Sequence, residues 1–294
     1  MVRVSCPLCG SYKNYQILYK ANFKGLSKNL FSARRLPDGV HYQIVRCKKD
    51  GLVRSNPVLP DSKLVKLYQK SNFTYQTELK NLTNTYINSL YQVLPRIKKT
   101  DKILEIGCGN GFLMDKLASL GYKNIYGVEP SIEAVIKASS KIRRKIKKQN
   151  FKEGLYPKNS FKLIYLFQTL DHISNPNVFL KECLKIIQPG GFILAFNHNI
   201  DSFSAKLLGK KSPIIDIEHT FFYSPKTQSL IFNKNLFVIK KVYCPVNIIS
   251  LRHLIWLFPI PKNIKKFLIT SNIFNNINIP VRLGNLCIIA QKES

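Results

Sequence analysis

Strand-like and helix-like patterns of apolar residues alternate along the middle of the chain. Short apolar runs have the composition typical of buried strands. Three of them precede segments whose apolar residues recur every three or four positions, as in helices. With 294 residues and 45% hydrophobic content, the chain can bury an α/β domain plus one small appendage. The predicted strands begin at residues 103, 124, 161, 192, 236 and 286.

The same patterns suggest a division of the chain. We predict a small module at 1–60, a helical connector at 61–98, and a main domain at 99–294 that contains a helical insertion at 245–284. Residues at helical spacing predict two connector helices, which either pack on the core or form a lid over a ligand. These residues are Leu64, Leu67, Tyr68, Leu79, Leu82, Tyr86, Leu90 and Val93.

A glycine triplet follows the first main-domain strand. Gly107, Gly109 and Gly111 permit tight turns with positive φ and let backbone N–H groups approach a ligand closely. A dinucleotide fingerprint reads G-x-G-x-x-G, but here the third glycine comes one residue early. A nucleotide-type cofactor other than a dinucleotide is therefore expected, although a purely structural glycine turn is the alternative.

From Glu105 to Gly111 the chain reads E-x-G-x-G-x-G, which resembles the first motif of class I S-adenosylmethionine-dependent methyltransferases. The resemblance implies that Glu105 faces the methionyl ammonium of this cofactor. Glu129 ends the next predicted strand, 18 residues after Gly111, where a carboxylate that binds both ribose hydroxyls belongs.

Residues 161–196 are similar to the same family around its fourth and fifth strands, so the resemblance covers about residues 100–200. It implies an α/β fold with a Rossmann-like seven-stranded methyltransferase sheet. It also places Gln168 beside the methionyl group and Asn150 and Phe151 near the adenine edge, although Phe151 fits a core position equally well. Lys162 stands where the family usually has Asp, which puts local strand pairing in doubt.

Near the N-terminus, two glycine-closed turns bring together Cys6, Cys9, Cys47 and Asp50 in the layout of a zinc ribbon, with Asp in place of the fourth Cys. This module resembles the one found in bacterial methyltransferases of the sugar and polysaccharide type. Either the four residues bind Zn²⁺, or the ribbon has lost its metal and is held by packing. The other cysteines, Cys108, Cys183, Cys244 and Cys287, fall in predicted core segments.

Proton transfer from a hydroxyl or a carbon acid requires a base, and His is the common choice. Glu218 and His219 lie in a segment that resembles the E-H-x-x-x-(Y/F)-S stretch of sugar C-methyltransferases, where the His and its neighbours transfer protons. His172 follows the fourth strand at the expected cofactor cleft, and Tyr223 is a weaker acid or base candidate. For each histidine, a structural role is the alternative.

A net charge of +30, from 46 basic and 16 acidic residues, favours anionic partners. The excess is spread over every segment, so a nucleic-acid partner is an alternative to a phosphate-bearing small substrate rather than the first choice. We predict that the densest cluster forms the solvated face of one helix. It contains Lys137, Lys141, Arg143, Arg144, Lys145, Lys147 and Lys148.

No apolar run reaches transmembrane length; the longest, Leu254 to Ile260, is far below the roughly 18 residues required. The sequence therefore predicts a soluble, cytoplasmic protein. Peripheral membrane contact is a further option, because lysines flank an apolar stretch of the insertion. These residues are Trp256, Leu257, Phe258, Lys262, Lys265 and Lys266.

Together these features predict S-adenosylmethionine-dependent methyl transfer to a small polar acceptor. A sugar nucleotide or a surface-polysaccharide precursor is the first acceptor hypothesis. The alternatives are a nucleic-acid or lipid-linked acceptor, and a non-catalytic protein that only binds the cofactor.

Overall fold

The N-terminal module is a small antiparallel sheet that packs on the main domain. The computed structural model describes residues 1–24, 39–60, 62–64, 67, 79–257, 277–282 and 284–293. Strand β2 pairs with β1 on one side and with β3 on the other. The strands are β1 (Tyr15–Tyr19), β2 (Ile44–Cys47) and β3 (Val53–Ser55).

The connector contributes helix α1 (Leu79–Leu90), whose inner side is buried against the central sheet. Tyr86 stacks on Phe167 with their ring centroids 4.0 Å apart. Of the two options for the connector, packing on the core or forming a lid over a ligand, α1 therefore follows the first. Residues 62–64 and 67 are also helical, whereas Tyr68 lies outside the described residues.

The main domain follows the predicted alternation of strands and helices. Its strands are β4 (Lys102–Ile106), β5 (Asn124–Val128), β6 (Ile146–Lys147), β7 (Phe161–Phe167), β8 (Ile187–His198), β9 (Phe221–Phe222), β10 (Val238–Tyr243), β11 (Asn247–Ser250), β12 (Asn278–Val281) and β13 (Asn285–Gln291). Its helices are α2 (Phe112–Ser119), α3 (Ile132–Ile136), α4 (Ser140–Arg143), α5 (Pro176–Ile186), α6 (Phe203–Leu208), α7 (Pro225–Lys234) and α8 (Leu251–Leu257).

Seven strands form the central sheet in the order β10-β13-β8-β7-β4-β5-β6. Neighbouring strands from β8 to β6 run parallel, while β13 runs antiparallel to both β8 and β10. This is the predicted Rossmann-like seven-stranded α/β arrangement. At Lys162 the register of β7 against β8 shifts, and the Lys162 ammonium donates to the Gly190 carbonyl at 3.1 Å. The unusual Lys thus coincides with a local irregularity and leaves the remaining pairing intact.

Both faces of the sheet are covered. Helices α5 and α7, together with Cys6, Cys47 and Leu52 of the N-terminal module, pack on one face. Helices α1 and α2 pack on the other. Capping fixes where the helices of the first face begin: Asn175 accepts a hydrogen bond from the Val178 N–H, and Ser224 forms a capping box with Thr227.

Three local predictions were wrong. The segment 245–284 is not only helical, because β11 and β12 pair with each other, as suits their β-branched isoleucines. The basic cluster is spread over the end of α3, helix α4, strand β6 and the residues between and after them rather than over one helix, since Ser139 caps a new helix. Cys244 is exposed because it lies between β10 and β11.

None of the helices in the described ranges combines the length and the apolar character needed to cross a bilayer. Phe258 and the three lysines of the predicted membrane-contacting stretch, Lys262, Lys265 and Lys266, lie outside the described residues.

Candidate functional site

The predicted cofactor-binding residues lie at one edge of the central sheet, because the carboxyl ends of parallel strands meet there. The glycine triplet follows β4, Glu129 follows β5, and Gln168 follows β7. A short 3₁₀ turn, Leu170–His172, continues from β7 and carries a predicted histidine. Residues far apart in sequence are therefore brought to one place by strand order alone.

All three glycines of the triplet adopt positive φ, with values of 76°, 54° and 71° for Gly107, Gly109 and Gly111. A Cβ on Gly107 would collide with the hydroxyl of Thr169, and a Cβ on Gly111 would lie 2.5 Å from the Ile142 side chain. Glycine is thus required by the backbone conformation and by close packing within the protein, in addition to the ligand approach predicted from the sequence.

Glu129 holds the glycine turn in place through its carboxylate. One oxygen accepts from the Gly109 N–H at 2.8 Å, and the other accepts from the Ser131 N–H at 2.8 Å. Burial raises the pKa of Glu129, although both backbone N–H donors oppose that effect. An ionised carboxylate offers about four acceptor positions, so two remain for hydroxyl groups of a ligand.

Glu105 lies on β4 beside Glu129 and is almost fully buried. Its carboxylate accepts from the Tyr165 hydroxyl at 3.0 Å. Burial raises the pKa of Glu105 well above its usual value, and the nearby charge of Glu129 adds to this effect. Two neighbouring buried carboxyls would be stabilised in their ionised form by a cation, so this part of the site is suited to a positively charged group.

Two polar atoms beside the glycine turn are buried and have no hydrogen-bond partner within the described part of the protein. They are the side-chain oxygens of Asn110 and Gln168. Gln168 has a φ of 50°, and its side-chain amide donates to Asn285 at 3.3 Å. Buried acceptors of this kind ordinarily require donors, so the residues around the triplet fit a ligand that carries N–H or O–H groups. Asn110 was not predicted, although its position inside the triplet is a usable signal.

Asn150 and Phe151, predicted near the adenine edge, follow β6 and are half-buried. The Phe151 ring packs edge-on against Phe179 at 5.3 Å between centroids. This contact agrees with the alternative reading of Phe151 as a core residue, and the adenine contact stays a prediction.

His172 and His219 meet in space, together with an acidic residue that was not singled out from the sequence. Nε2 of each histidine lies 3.7 Å from a different carboxylate oxygen of Asp171. The two imidazole centroids are 4.8 Å apart, and the His198 ring lies 5.2 Å from that of His219. We refer to Asp171, His172, His198 and His219 as the histidine cluster.

The tautomers of the two predicted histidines follow from their backbone contacts. Nδ1 of His219 lies 2.8 Å from the Ile214 carbonyl, and Nδ1 of His172 lies 3.1 Å from the Glu218 carbonyl. A carbonyl only accepts, so Nδ1 carries the proton in each neutral ring and Nε2 carries the lone pair. Both basic nitrogens therefore face Asp171. Glu218 contacts the cluster through its backbone carbonyl, and a role for its carboxylate stays a prediction.

Burial and charge act in opposite directions within the histidine cluster. Burial alone would raise the pKa of Asp171, but the three surrounding imidazoles outweigh it and hold that pKa below its usual value. Burial lowers the pKa of His172 despite the nearby carboxylate. The cluster at neutral pH is thus an ionised Asp171 beside a neutral His172, and it can stabilise a proton taken up by an imidazole.

The four predicted metal ligands also come together. The ligand atoms of Cys6, Cys9, Cys47 and Asp50 all lie within 4.8 Å of one another. Tetrahedral zinc bonds of about 2.3 Å to sulfur would place sulfur atoms about 3.8 Å apart, close to the 3.5 Å between Cys9 and Cys47. The donor set therefore fits Zn²⁺.

The thiols of this group hydrogen-bond to the Asp50 carboxylate when they are protonated. Cys6 and Cys47 donate to the same Asp50 oxygen at 3.0 and 3.1 Å, while the second oxygen accepts from the Leu52 N–H. Burial raises the pKa of both thiols. A bound metal must displace these protons, so zinc affinity should fall as the pH is lowered.

Comparison with known proteins gives a family. A model of a methyltransferase domain matches residues 75–239, which is more than half of the chain. A methyltransferase of Schizosaccharomyces pombe, named as uncharacterized, is 33% identical over 116 residues, or 34% of this chain and 41% of that protein. The ubiquinone biosynthesis O-methyltransferase of Bradyrhizobium diazoefficiens is 27% identical over 114 residues, or 37% of this chain and 45% of that protein.

These matches span less than half the length of both curated relatives. A solved structure of an S-adenosylmethionine-dependent methyltransferase from Archaeoglobus fulgidus has a TM-score of 0.50 at 18% identity, covering 73% of this chain and 97% of the other. At that identity the likeness concerns the fold. The expected fold and cofactor are confirmed, whereas the zinc ribbon and the sugar acceptor gain no support from these matches.

We expect Glu129→Ala to weaken S-adenosylmethionine binding by about 1.5–3 kcal/mol, because the ribose hydroxyls lose a charge-assisted partner. The Gly109 and Ser131 N–H groups also lose their acceptor, so the free energy of unfolding should fall as well. Glu129→Gln keeps one acceptor oxygen, so it should lose less cofactor affinity and less free energy of unfolding than Glu129→Ala. Calorimetry and thermal unfolding measure the two effects separately.

Glu133→Ala is a matched control, because Glu133 is solvent-accessible and forms an ion pair with Lys137 on the following turn. The raised pKa of Glu129 means that its carboxylate takes up a proton at a higher pH than an ordinary glutamate does. Wild-type affinity should therefore fall as the pH is lowered towards that pKa, and Glu129→Gln should reduce this dependence. Equal affinities of Glu129→Ala and Glu133→Ala would remove Glu129 from the site.

For the cysteine group, we expect about one Zn²⁺ per chain in protein prepared without chelators, because three thiolates and one carboxylate complete a tetrahedral set. Cys6→Ser and Cys47→Ser should release the metal, whereas Cys244→Ser, at an exposed cysteine, should retain it. Elemental analysis measures the metal content. Wild-type protein without zinc would contradict the site, and Asp50→Cys would then be expected to create one.

Proposed function

Because the chain belongs to the methyltransferase-domain family and is an S-adenosylmethionine-dependent methyltransferase, we propose that it methylates a hydroxyl of a small polar acceptor, with His219 as the base. The observation that carries this proposal is the histidine cluster, in which two basic imidazole nitrogens face an ionised Asp171 at the cofactor edge of the sheet. A neutral amine is nucleophilic enough to accept a methyl group before it loses a proton, so an amine acceptor would need no such group.

Cofactor binding is assigned to the glycine triplet and the residues beside it. The triplet allows backbone N–H groups to approach, Glu129 offers its two remaining acceptor positions to the ribose, and Glu105 offers negative charge to the ammonium. The unpartnered oxygens of Asn110 and Gln168 are suited to further donors of the cofactor. When bound, the sulfonium supplies an already activated methyl group, so the protein has mainly to orient the acceptor and exclude water.

His219 is the preferred base because its environment fits proton uptake. Its Nδ1–H is fixed on the Ile214 carbonyl, which leaves Nε2 to accept the hydroxyl proton of the acceptor. Asp171, 3.7 Å away, would stabilise the imidazolium that forms. His172 has the same arrangement and a more exposed side chain, so it is the second candidate.

The acceptor hydroxyl is assigned only by chemical class. The sequence resemblance suggests a sugar nucleotide or a surface-polysaccharide precursor, and the net charge of +30 suits a phosphate-bearing substrate. The name of the Bradyrhizobium relative, a ubiquinone biosynthesis O-methyltransferase, suggests an oxygen acceptor other than a sugar, and we set a phenolic hydroxyl against the sugar hydroxyl as the second class. A phenol is the more acidic hydroxyl and demands less of an imidazole base, which supports the phenolic class as the first to test.

The basic cluster gives little support to a nucleic-acid acceptor. Lys137 pairs with Glu133, Arg143 donates to the Ala138 carbonyl, and Lys145 donates to the Lys123 carbonyl. These local contacts use hydrogen-bond donors that phosphate binding would need. The lipid-linked acceptor and the non-catalytic binder remain alternatives that turnover measurements distinguish.

We expect His219→Ala to reduce kcat by about 10²–10⁴-fold with nearly unchanged cofactor affinity, because a base acts only on the acceptor proton. His41→Ala is the matched control, since His41 is also buried with Nδ1 on a carbonyl, but lies in the N-terminal module. Turnover per folded molecule and the pH profile of kcat are measured. Normal turnover in His219→Ala, with reduced stability alone, would make His219 structural and His172 the leading candidate.

A panel of acceptors tests the substrate class. We expect methylation of a hydroxyl-bearing probe, either a 1,2-dihydroxybenzene or a nucleoside diphosphate sugar, and no methylation of bulk transfer RNA. Transfer of a radiolabelled methyl group to each probe is measured at physiological salt, since nucleic-acid binding depends strongly on ionic strength. Labelling of RNA alone would replace the proposed acceptor, and cofactor binding without any labelling would favour the non-catalytic alternative.

A further inference from the structure

The third strand of the N-terminal module belongs to the same small sheet as the segment that carries His219. Strand β3 pairs antiparallel with β9, with Val53 opposite Phe222 and Arg54 opposite Phe221. Strand β9 begins two residues after His219. The module is therefore continuous, through backbone hydrogen bonds, with the acceptor side of the site.

Ser55, the last residue of β3, forms two hydrogen bonds with this segment. Its N–H donates to the Thr220 carbonyl at 2.9 Å, and its hydroxyl donates to the His219 carbonyl at 2.7 Å. Ser55 is fully buried, so water does not compete for either bond. The backbone bond would persist with any residue except proline, but the hydroxyl bond requires Ser or Thr.

A single peptide unit then relays this contact to the histidine cluster. The His219 carbonyl accepts from Ser55, while the Thr220 N–H of the same peptide donates to the Asp171 carbonyl at 2.9 Å. Hydrogen bonds on both sides of one peptide fix its plane and polarise each other. The backbones of His219 and Asp171 are thereby held in register, and their side chains meet with 3.7 Å between Nε2 and Oδ2.

We propose that Ser55 is a positioning residue for the His219 imidazole, so that the N-terminal module forms part of the acceptor site. This inference rests on the proposed function, in which His219 is the base. Ser55 does not touch the reacting atoms; it fixes the peptide from which the imidazole projects. Small misplacements of a base are costly, because proton transfer requires hydrogen-bond distance in the transition state.

The test compares Ser55→Ala with Ser55→Thr and with Ser89→Ala in the full chain. Ser89 is also buried, and its hydroxyl also donates to a carbonyl, that of Thr85 at 3.3 Å, but it lies on α1 on the opposite face of the sheet. Loss of a buried serine hydroxyl is thus common to both alanine variants, and only one of them changes the support of His219. Thermal unfolding reports the shared stability effect.

Ser55→Ala should lower kcat roughly 10-fold, with unchanged cofactor affinity. It should also shift the acidic limb of the pH profile, along which kcat rises with pH. Ser55→Thr should restore most of the loss, and Ser89→Ala should leave kcat unchanged. The rates are measured on whichever probe of the acceptor panel is methylated. Independently of any acceptor, nuclear magnetic resonance of labelled histidines should show shifted His219 ring resonances in Ser55→Ala and not in Ser89→Ala.

The two proposals fail in different ways. If His219→Ala abolishes turnover while Ser55→Ala matches the wild type in kcat and in the His219 ring resonances, Ser55 has no positioning role and the base assignment stands. If His219→Ala retains turnover, the base assignment fails, and the His219 ring resonances alone decide whether Ser55 orients the ring. Equal losses of kcat in Ser55→Ala and Ser89→Ala would mean that the Ser55 effect comes from lower protein stability and not from positioning of His219.

Discussion

Parallel pairing of β5, β4, β7 and β8 is the constraint on which the site depends. Because these strands run in one direction, their carboxyl ends open on one edge, and each contributes a different group there. Strand β4 leads into the glycine triplet, β5 into Glu129, β7 into the turn with Asp171, and β8 ends at His198. A change in strand order would separate groups that no local sequence feature holds together.

Buried carboxyls at this edge differ in pKa because their neighbours differ. Glu105 and Glu129 lie beside each other with only neutral donors, so burial dominates and raises both pKa values. Asp171 is equally buried, but three imidazoles surround it and lower its pKa. The first pair is suited to a ligand that brings positive charge, and Asp171 is suited to a proton that arrives on an imidazole.

The N-terminal module is more than an appendage of the main domain. Its cysteine turns pack in the same core as α5 and α7, where the Lys234 ammonium donates to the Pro7 and Leu8 carbonyls. Its β3 strand also pairs antiparallel with β9. Metal binding in this module would stabilise a sheet that reaches the histidine cluster. The cysteine group and the histidine cluster are therefore structurally connected.

Much of the fold and of the cofactor side of the site could be predicted because the signals are local. A glycine that needs positive φ, an acidic residue at the end of a strand, and apolar residues at fixed spacing are all properties of short segments. The strand predicted to begin at residue 124 and to end at Glu129 spans Asn124–Val128 in the structure. The paired cysteine turns were likewise visible as two short motifs, and the structure needed only to bring them together.

The acceptor side depended on contacts between distant segments, and the sequence alone could not define it. The sequence identified His172 and His219 separately but offered no reason for them to share Asp171, because 47 positions separate the two histidines and only strand pairing joins them. Ser55 carried no signal, since its partner lies 164 positions away. The sequence by itself determined the fold class and the cofactor chemistry, which local backbone geometry encodes. The tertiary structure alone decided which groups face one another, because such contacts follow from strand order and packing.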